Sequence, residues 1–154
     1  MKTLSLPRSL YNELRAHGEE AYPHECCGAM LGLPVADGWQ LEVLVRAANI
    51  RVDAAQTRYE IAPGELVAIV RDARALGLEV AGFYHSHPDH PAEPSTTDFA
   101  EAHWIGCAYV IAEVVEGNAA ATNAFLLAGA TEESKHFEPL ALEIDDRISN
   151  ASLK

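Results

Sequence analysis

Apolar residues recur along the chain at helical spacing in two stretches, and these stretches predict two amphipathic helices. The first covers residues 7–21, where Pro7 suits the opening turn. The second opens at Pro63 and stops before Gly77, with one apolar face formed by Leu66, Ile69, Val70, Ala73 and Leu76. A shorter third helix is predicted from an N-cap at Ser95 to about residue 105.

Between these helices, runs of small, branched or aromatic residues predict strands. The predicted strands are 26–33, 40–50, 80–84, 108–115, 121–128 and 137–144, with 58–61 as a short candidate. Pro-rich residues 89–94 predict a loop, and residues from Ser149 onward are expected to fray. This order predicts one α/β or α+β domain over residues 1–154, in which helices pack on a single mixed sheet.

Composition narrows the class of protein. The 154 residues carry a net charge of −12, which argues against nucleic-acid backbones and anionic membranes as partners. No apolar run is long enough to span a membrane, and the first residues do not resemble a signal peptide. Cys26, Cys27 and Cys107 make a poor disulfide framework, so we expect a reducing, cytoplasmic location.

The strongest chemical signal is His85-Ser86-His87-Pro88, followed by Ser95 and Asp98. Side chains at i and i+2 of a strand share a face, so His85 and His87 can reach one ion, and Asp98 returns from the start of a helix. Imidazole and carboxylate are ligands that Zn²⁺ accepts, and three protein ligands leave a fourth position for water. The pattern therefore predicts a hydrolytic metal site.

Ser95, Asp98 and a third candidate, Glu25, could each have a purely structural role instead. Ser95 can be a helix cap, and Asp98 can complete a capping-box turn with it. Glu25 adjoins a buried strand and is our candidate to carry the proton, although a strand-edge glutamate exposed to water would also fit. His24 and His90 could line the pocket, but we expect both to be exposed and uninvolved.

Other zinc patterns fit less well. His24-Glu25 begins like His-Glu-x-x-His, but Gly28 stands where the second histidine belongs. No cysteine pair has the spacing of the base deaminases, and the adjacent Cys26 and Cys27 should point to opposite faces of a strand.

Glu25, His85-Ser86-His87-Pro88, Ser95 and Asp98 together resemble the JAMM (MPN-plus) metalloprotease motif, with all five positions intact. Residues 25–28 also resemble the Glu-x-Cys-Gly turn of that family. The resemblance implies the MPN fold, a curved mixed sheet flanked by helices and akin to cytidine deaminases. It further implies one Zn²⁺ per chain held by His85, His87 and Asp98, with Glu25 as general acid/base and Ser95 as a hydrogen-bond donor to the oxyanion.

The resemblance also implies a substrate class. Members cleave after the C-terminal Gly-Gly of ubiquitin-like proteins, and short connections here favour the minimal prokaryotic type, which acts on sulfur-carrier proteins. The tail should bind as an extended strand at an exposed sheet edge. The bond type stays open between peptide and isopeptide, and the oligomeric state is unknown, with a homodimer possible. The alternatives are a non-catalytic MPN scaffold, a zinc hydrolase of a small amide, and a nucleic-acid-processing relative, which the acidic surface disfavours.

Overall fold

The first element of the fold is a strand that the sequence pattern did not predict. The computed structural model describes residues 2–147, so the predicted fraying from Ser149 lies outside the described residues. Its elements are β1 Thr3–Pro7, α1 Arg8–Ala21, β2 Cys27–Val35, β3 Gly38–Ala47, α2 Pro63–Ala75, β4 Glu79–Pro88, α3 Thr96–Glu101, β5 Ala108–Val115, β6 Asn118–Ala128 and β7 His136–Asp145.

The strands form one mixed sheet, as predicted, but that sheet closes into a barrel in the order β1-β3-β2-β4-β5-β6-β7. Strand β1 closes the ring because it pairs in parallel with both β3 and β7. Leu4 and Leu6 alternate along β1 and are both fully buried, which is the period-2 signal of a half-buried strand. The closed ring has no free edge strand among the described residues, so the predicted exposed sheet edge is wrong.

Two hydrophobic clusters lie on opposite faces of the sheet. The first contains residues from all seven strands together with Leu14 of α1, so α1 packs against the inner side of the ring. The second contains Ile69 and Ala73 of α2 and covers the other face. Cys26 belongs to the first cluster and Cys27 to the second, which agrees with the prediction that they point to opposite faces.

Two predicted elements differ from the structure. Residues 58–61 are not a strand, because the side chain of Asn49 accepts the Glu60 N–H that a neighbouring strand would otherwise accept. Helix α3 ends at Glu101 rather than near residue 105. At this end the buried Lys135 ammonium donates to the carbonyl oxygens of Ala100 and Ala102. Within residues 2–147, no helix has the length and apolar character needed to cross a membrane.

Candidate metal centre

Strand β4 places two histidines side by side at its carboxyl end. It lies between β2 and β5 and runs as far as Pro88, beyond the predicted strand of residues 80–84. His85 and His87 are 2% and 3% exposed, and their Nε2 atoms lie 3.1 Å apart. The prediction that the two imidazoles share a face is therefore confirmed.

Helix α3 brings Asp98 to the same point. The loop after β4 turns the chain back, and Ser95 then caps α3. Asp98 Oδ2 lies 2.9 Å from His87 Nε2 and 3.2 Å from His85 Nε2. The structure thus gathers the three predicted ligand residues, and their ligand atoms form a group able to hold a metal ion.

The protonation pattern of this group fits a divalent cation. His87 Nδ1 lies 2.7 Å from the Pro91 carbonyl oxygen, which can only accept, so Nδ1 carries the hydrogen and neutral His87 has its lone pair on Nε2. In that form the lone pair points towards His85 Nε2 and Asp98 Oδ2, so the three atoms could bind one cation together. Ligand atoms ~2.0–2.1 Å from a tetrahedral zinc lie about 3.3 Å apart, close to the separations here.

The surroundings shift the pKa values of the three side chains in different directions. Burial lowers the pKa of His85, so its imidazole is neutral. Burial alone would raise the pKa of Asp98, but its close contacts with the imidazoles of His85 and His87 outweigh that effect and hold the pKa far below its usual value. Burial alone would lower the pKa of His87, but its contacts with Asp98 and Pro91 outweigh burial, so the net effect is a raised pKa.

Strand pairing places Glu25 next to this group. Cys27 of β2 pairs with His85 of β4 in antiparallel register, and the Ser86 N–H donates to the Cys26 carbonyl oxygen, so Glu25 comes opposite His87. Glu25 is 2% exposed, and its Oε1 has no hydrogen-bond partner among the described residues. Burial raises the pKa of its carboxyl group to about 8. The alternative of a water-exposed glutamate at a strand edge is therefore wrong.

Ser95 has the cap geometry that its sequence position predicted. Its Oγ accepts the Asp98 N–H at 3.0 Å, and its own N–H donates to Asp98 Oδ2 at 2.9 Å, which completes a capping box. Because this bond uses one lone pair of the hydroxyl, the O–H hydrogen stays available to donate. The cap role is thus present, and it leaves the second role open.

Two cavities meet at the centre. One, of about 470 Å³, is lined by Glu25, His87 and Ser95, together with His90. The other, of about 160 Å³, is lined by Asp98 and by a mixture of apolar and polar side chains: Tyr59, Ile61, Leu66, Phe83, Trp104 and Tyr109, with Arg58, Glu60, Thr97 and Glu101. His24 and His90 are both exposed, as expected, but only His90 lines a cavity of this centre.

Several residues that shape the centre were not found from the sequence. The Tyr59 ring stacks on His85 with ring centroids 4.6 Å apart. Ser86, between the two histidines, accepts the Cys26 N–H at 2.8 Å and so holds the peptide next to Glu25. Asn49 donates to the Glu25 carbonyl oxygen. The alternation of β4 signals that Ser86 faces away from the metal ligands, whereas the contacts of Tyr59 and Asn49 depend on tertiary structure.

The sequence profile of the prokaryotic homologs of the JAB domain matches residues 7–139. The chain belongs to this family. The JAMM resemblance that the motif indicated is therefore confirmed, and the mixed sheet with flanking helices is consistent with the fold of the JAB family.

Named relatives and solved structures agree with this membership. The chain is 31% identical over 112 residues to the desampylase of Haloferax volcanii, an alignment that covers 70% of this chain and 78% of the relative. It is 33% identical over 101 residues to a probable TtuB-protein conjugate cleaving protease of Thermus thermophilus, covering 66% of this chain and 64% of the relative.

Two solution structures match nearly the whole chain. A protein from Salinibacter ruber is 37% identical with a TM-score of 0.66, and the match covers 92% of this chain and 91% of that one. A protein from Desulfitobacterium hafniense is 26% identical with a TM-score of 0.75, with coverages of 93% and 94%. The chain therefore shares its fold with these two proteins over more than nine-tenths of its length.

Proposed function

We propose that this chain is a zinc metallopeptidase that hydrolyses the bond after the C-terminal Gly-Gly of a ubiquitin-like protein. The observation that carries the proposal is the convergence of His85, His87 and Asp98 within 3.2 Å, next to the buried Glu25. A conjugate-cleaving protease among the relatives supports the same class of reaction.

His85, His87 and Asp98 are the residues that would hold one zinc ion. Bound zinc supplies Lewis acidity, which polarises the scissile carbonyl and acidifies a water molecule. The three side chains keep the site rigid because β4 is hydrogen-bonded on both sides and Asp98 is fixed by the Ser95 capping box.

Glu25 is the proton carrier in this proposal. Its unpartnered Oε1 accepts a proton from the attacking water and delivers it to the departing amine, so water adds across the amide bond and the carboxylate is restored. A carboxyl group with a pKa near 8 is well matched to both steps at neutral pH. The free O–H of Ser95 donates to the developing oxyanion.

The segment of residues 58–61 is our proposed receptor for the substrate tail. The Arg58 carbonyl and both backbone groups of Glu60 are hydrogen-bonded on one side. Tyr59 and Ile61 alternate with them, and their backbone groups make no hydrogen bond within residues 2–147. Both residues line the cavity beside Asp98. An extended Gly-Gly tail can pair with this edge as an added strand.

A sulfur-carrier protein is the ubiquitin-like substrate that we favour, because short connections between the elements are typical of the minimal prokaryotic type. We also propose that residues 1–154 form one domain, that its fold is akin to that of cytidine deaminases, and that the protein is cytoplasmic. The complete ligand set disfavours a non-catalytic scaffold.

Cleavage of defined carriers tests the proposal. Zinc-loaded protein is incubated with several carrier proteins that bear one amino acid or a lysine isopeptide after Gly-Gly, and the products are weighed by mass spectrometry. We expect release of the group after Gly-Gly, and the two substrate types identify the bond. Failure to cleave any carrier would exclude this substrate class, and cleavage of a small amide instead would favour the small-amide hydrolase.

The variant Glu25→Gln provides the matched control, because it keeps the size of the side chain and removes its basicity. We expect turnover to fall by about 10²–10⁴-fold, the usual contribution of general acid/base catalysis, with unchanged zinc content. Activity that survives this change would show that Glu25 does not carry the proton. Purified wild-type protein that binds no zinc would favour the scaffold.

A further inference from the structure

Asn49 makes four hydrogen bonds through a single side chain. Its Nδ2 donates to the carbonyl oxygens of Glu25 and Arg58, each at 3.1 Å. Its Oδ1 accepts the N–H groups of Arg51 and Glu60, again at 3.1 Å each. A carboxamide has two donor hydrogens and two acceptor lone pairs, so the hydrogen-bonding capacity of Asn49 is fully used.

The partners of Asn49 belong to two separate parts of the site. Glu25 precedes β2, whereas Arg58 and Glu60 lie in the segment of residues 58–61, which lines the cavity beside Asp98. Asn49 therefore links the backbone of the proposed proton carrier to the backbone of the proposed tail receptor. The Glu25 N–H donates to the Ala55 carbonyl at 2.8 Å, so removal of Asn49 would loosen the link without detaching Glu25.

We propose that Asn49 is a positioning residue that sets the Glu25 carboxylate relative to the backbone of residues 58–61, which receives the substrate tail. This inference rests on the proposed function of the site. A bound tail places its scissile carbonyl at a fixed distance from the backbone with which it pairs. The proton carrier must meet that carbonyl, and misplacement by about 1 Å can cost about 100-fold in rate.

Two substitutions separate the contributions of the donors and the acceptors. Asn49→Asp is nearly isosteric, keeps the bonds from Arg51 and Glu60, and loses both donors to Glu25 and Arg58. Asn49→Ala loses all four. The control is Leu14→Ala, because Leu14 is fully buried in α1 and contributes no atom to either cavity, so this change lowers stability alone.

Steady-state cleavage of a carrier by the full-length, zinc-loaded protein is the first measurement. For both Asn49 variants we expect kcat to fall and KM to rise, so that kcat/KM drops by about 10- to 100-fold, with unchanged zinc content. Leu14→Ala should lower the melting temperature and leave kcat and KM near the wild-type values below that temperature. A purely structural role of Asn49 would give the Leu14→Ala pattern and would overturn the inference.

Carrier binding, measured without turnover, is the second measurement. In the Glu25→Gln background, Asn49→Ala should weaken the affinity for a carrier ending in Gly-Gly by at least about fivefold. An unchanged affinity would show that Asn49 does not position the tail receptor. Failure of the wild-type protein to cleave any carrier is a different result, because it refutes the proposed function itself.

Discussion

Lys135 holds the carboxyl end of the helix that carries Asp98, and its removal gives a quantitative test of how rigid the metal site is. The side chain is 4% exposed, and Nζ donates to the Ala102 carbonyl at 2.7 Å and to the Ala100 carbonyl at 3.4 Å. The ammonium also lies 5.0 Å from the centre of the Phe99 ring. The perturbation is Lys135→Met, which keeps an apolar stem and removes the charge.

The expected loss follows from these contacts. A hydrogen bond from a charged donor contributes about 1.5–3 kcal/mol, and the cation–π contact adds about 0.5–1 kcal/mol. The ion pair with Glu132, which is half exposed, adds little. Because burial of the ammonium opposes these gains, we expect a net loss of about 2 kcal/mol in the free energy of unfolding. For a domain of this size, that lowers the melting temperature by about 4–8 °C.

Thermal unfolding of the zinc-free protein measures the stability, and competition with a chromogenic chelator measures zinc affinity. Since Lys135 acts at one end of α3 and the capping box of Ser95 at the other, loss of Lys135 should also weaken zinc binding by about tenfold. Lys2→Met serves as the control for charge removal at an exposed position. A change below 2 °C with unaltered zinc affinity would refute the view that Lys135 fixes the position of Asp98.

Three further predictions follow from other features of the structure. Zinc at about 100 times its Kd should stabilise the fold by about 2.7 kcal/mol, so removal of zinc by a chelator should lower the melting temperature by roughly 5–11 °C. Calorimetry should show a smaller difference for Asp98→Asn. Gly82→Ala should cost about 3 kcal/mol in urea unfolding, because a Cβ there would collide with the Ala108 carbonyl of β5, whereas Gly64→Ala has open space and should cost nothing. Burial raises the pKa of the Cys26, Cys27 and Cys107 thiols to about 11, 12 and 11, so the folded protein binds more thiol protons than the unfolded chain above pH ~8.5. Stability should therefore fall as pH rises from about 8.5 towards 11, and a thiol reagent at pH 7.5 should detect three thiols only after denaturation; rapid labelling of the folded protein would contradict this.

The part of the site that is local in sequence was predictable. His85, His87, Ser95 and Asp98 lie within one strand–loop–helix unit, and the period of the strand and the cap at Ser95 fix their relative directions. Glu25 lies sixty residues away, and only the register of β2 on β4 puts it opposite His87. That register depends on pairing across the sheet, which a single sequence leaves open, so the motif resemblance supplied what periodicity could not.

The differences between the predicted and the observed elements also arise from contacts between residues distant in sequence. Residues 58–61 have the composition of a strand, yet the side chain of Asn49 replaces a neighbouring strand as their partner. Strand β1 carries a visible alternation at Leu4 and Leu6, but it is short and ends at Pro7, so the adjacent helix signal obscured it. The closure of the barrel depends on pairing between residues more than 130 positions apart, which no local pattern encodes.

That closure has a consequence for biosynthesis. Strand β1 is made first among the elements, but its partner β7 extends to Asp145, so the ring cannot close until that residue has been translated. At about 5–20 residues per second, β1 waits roughly 7–28 s after Pro7 is added. Strands β2 and β4, with the histidines, can pair during that interval. The nascent chain thus exposes strand edges that the finished protein hides, and this interval is when association with other chains most endangers it.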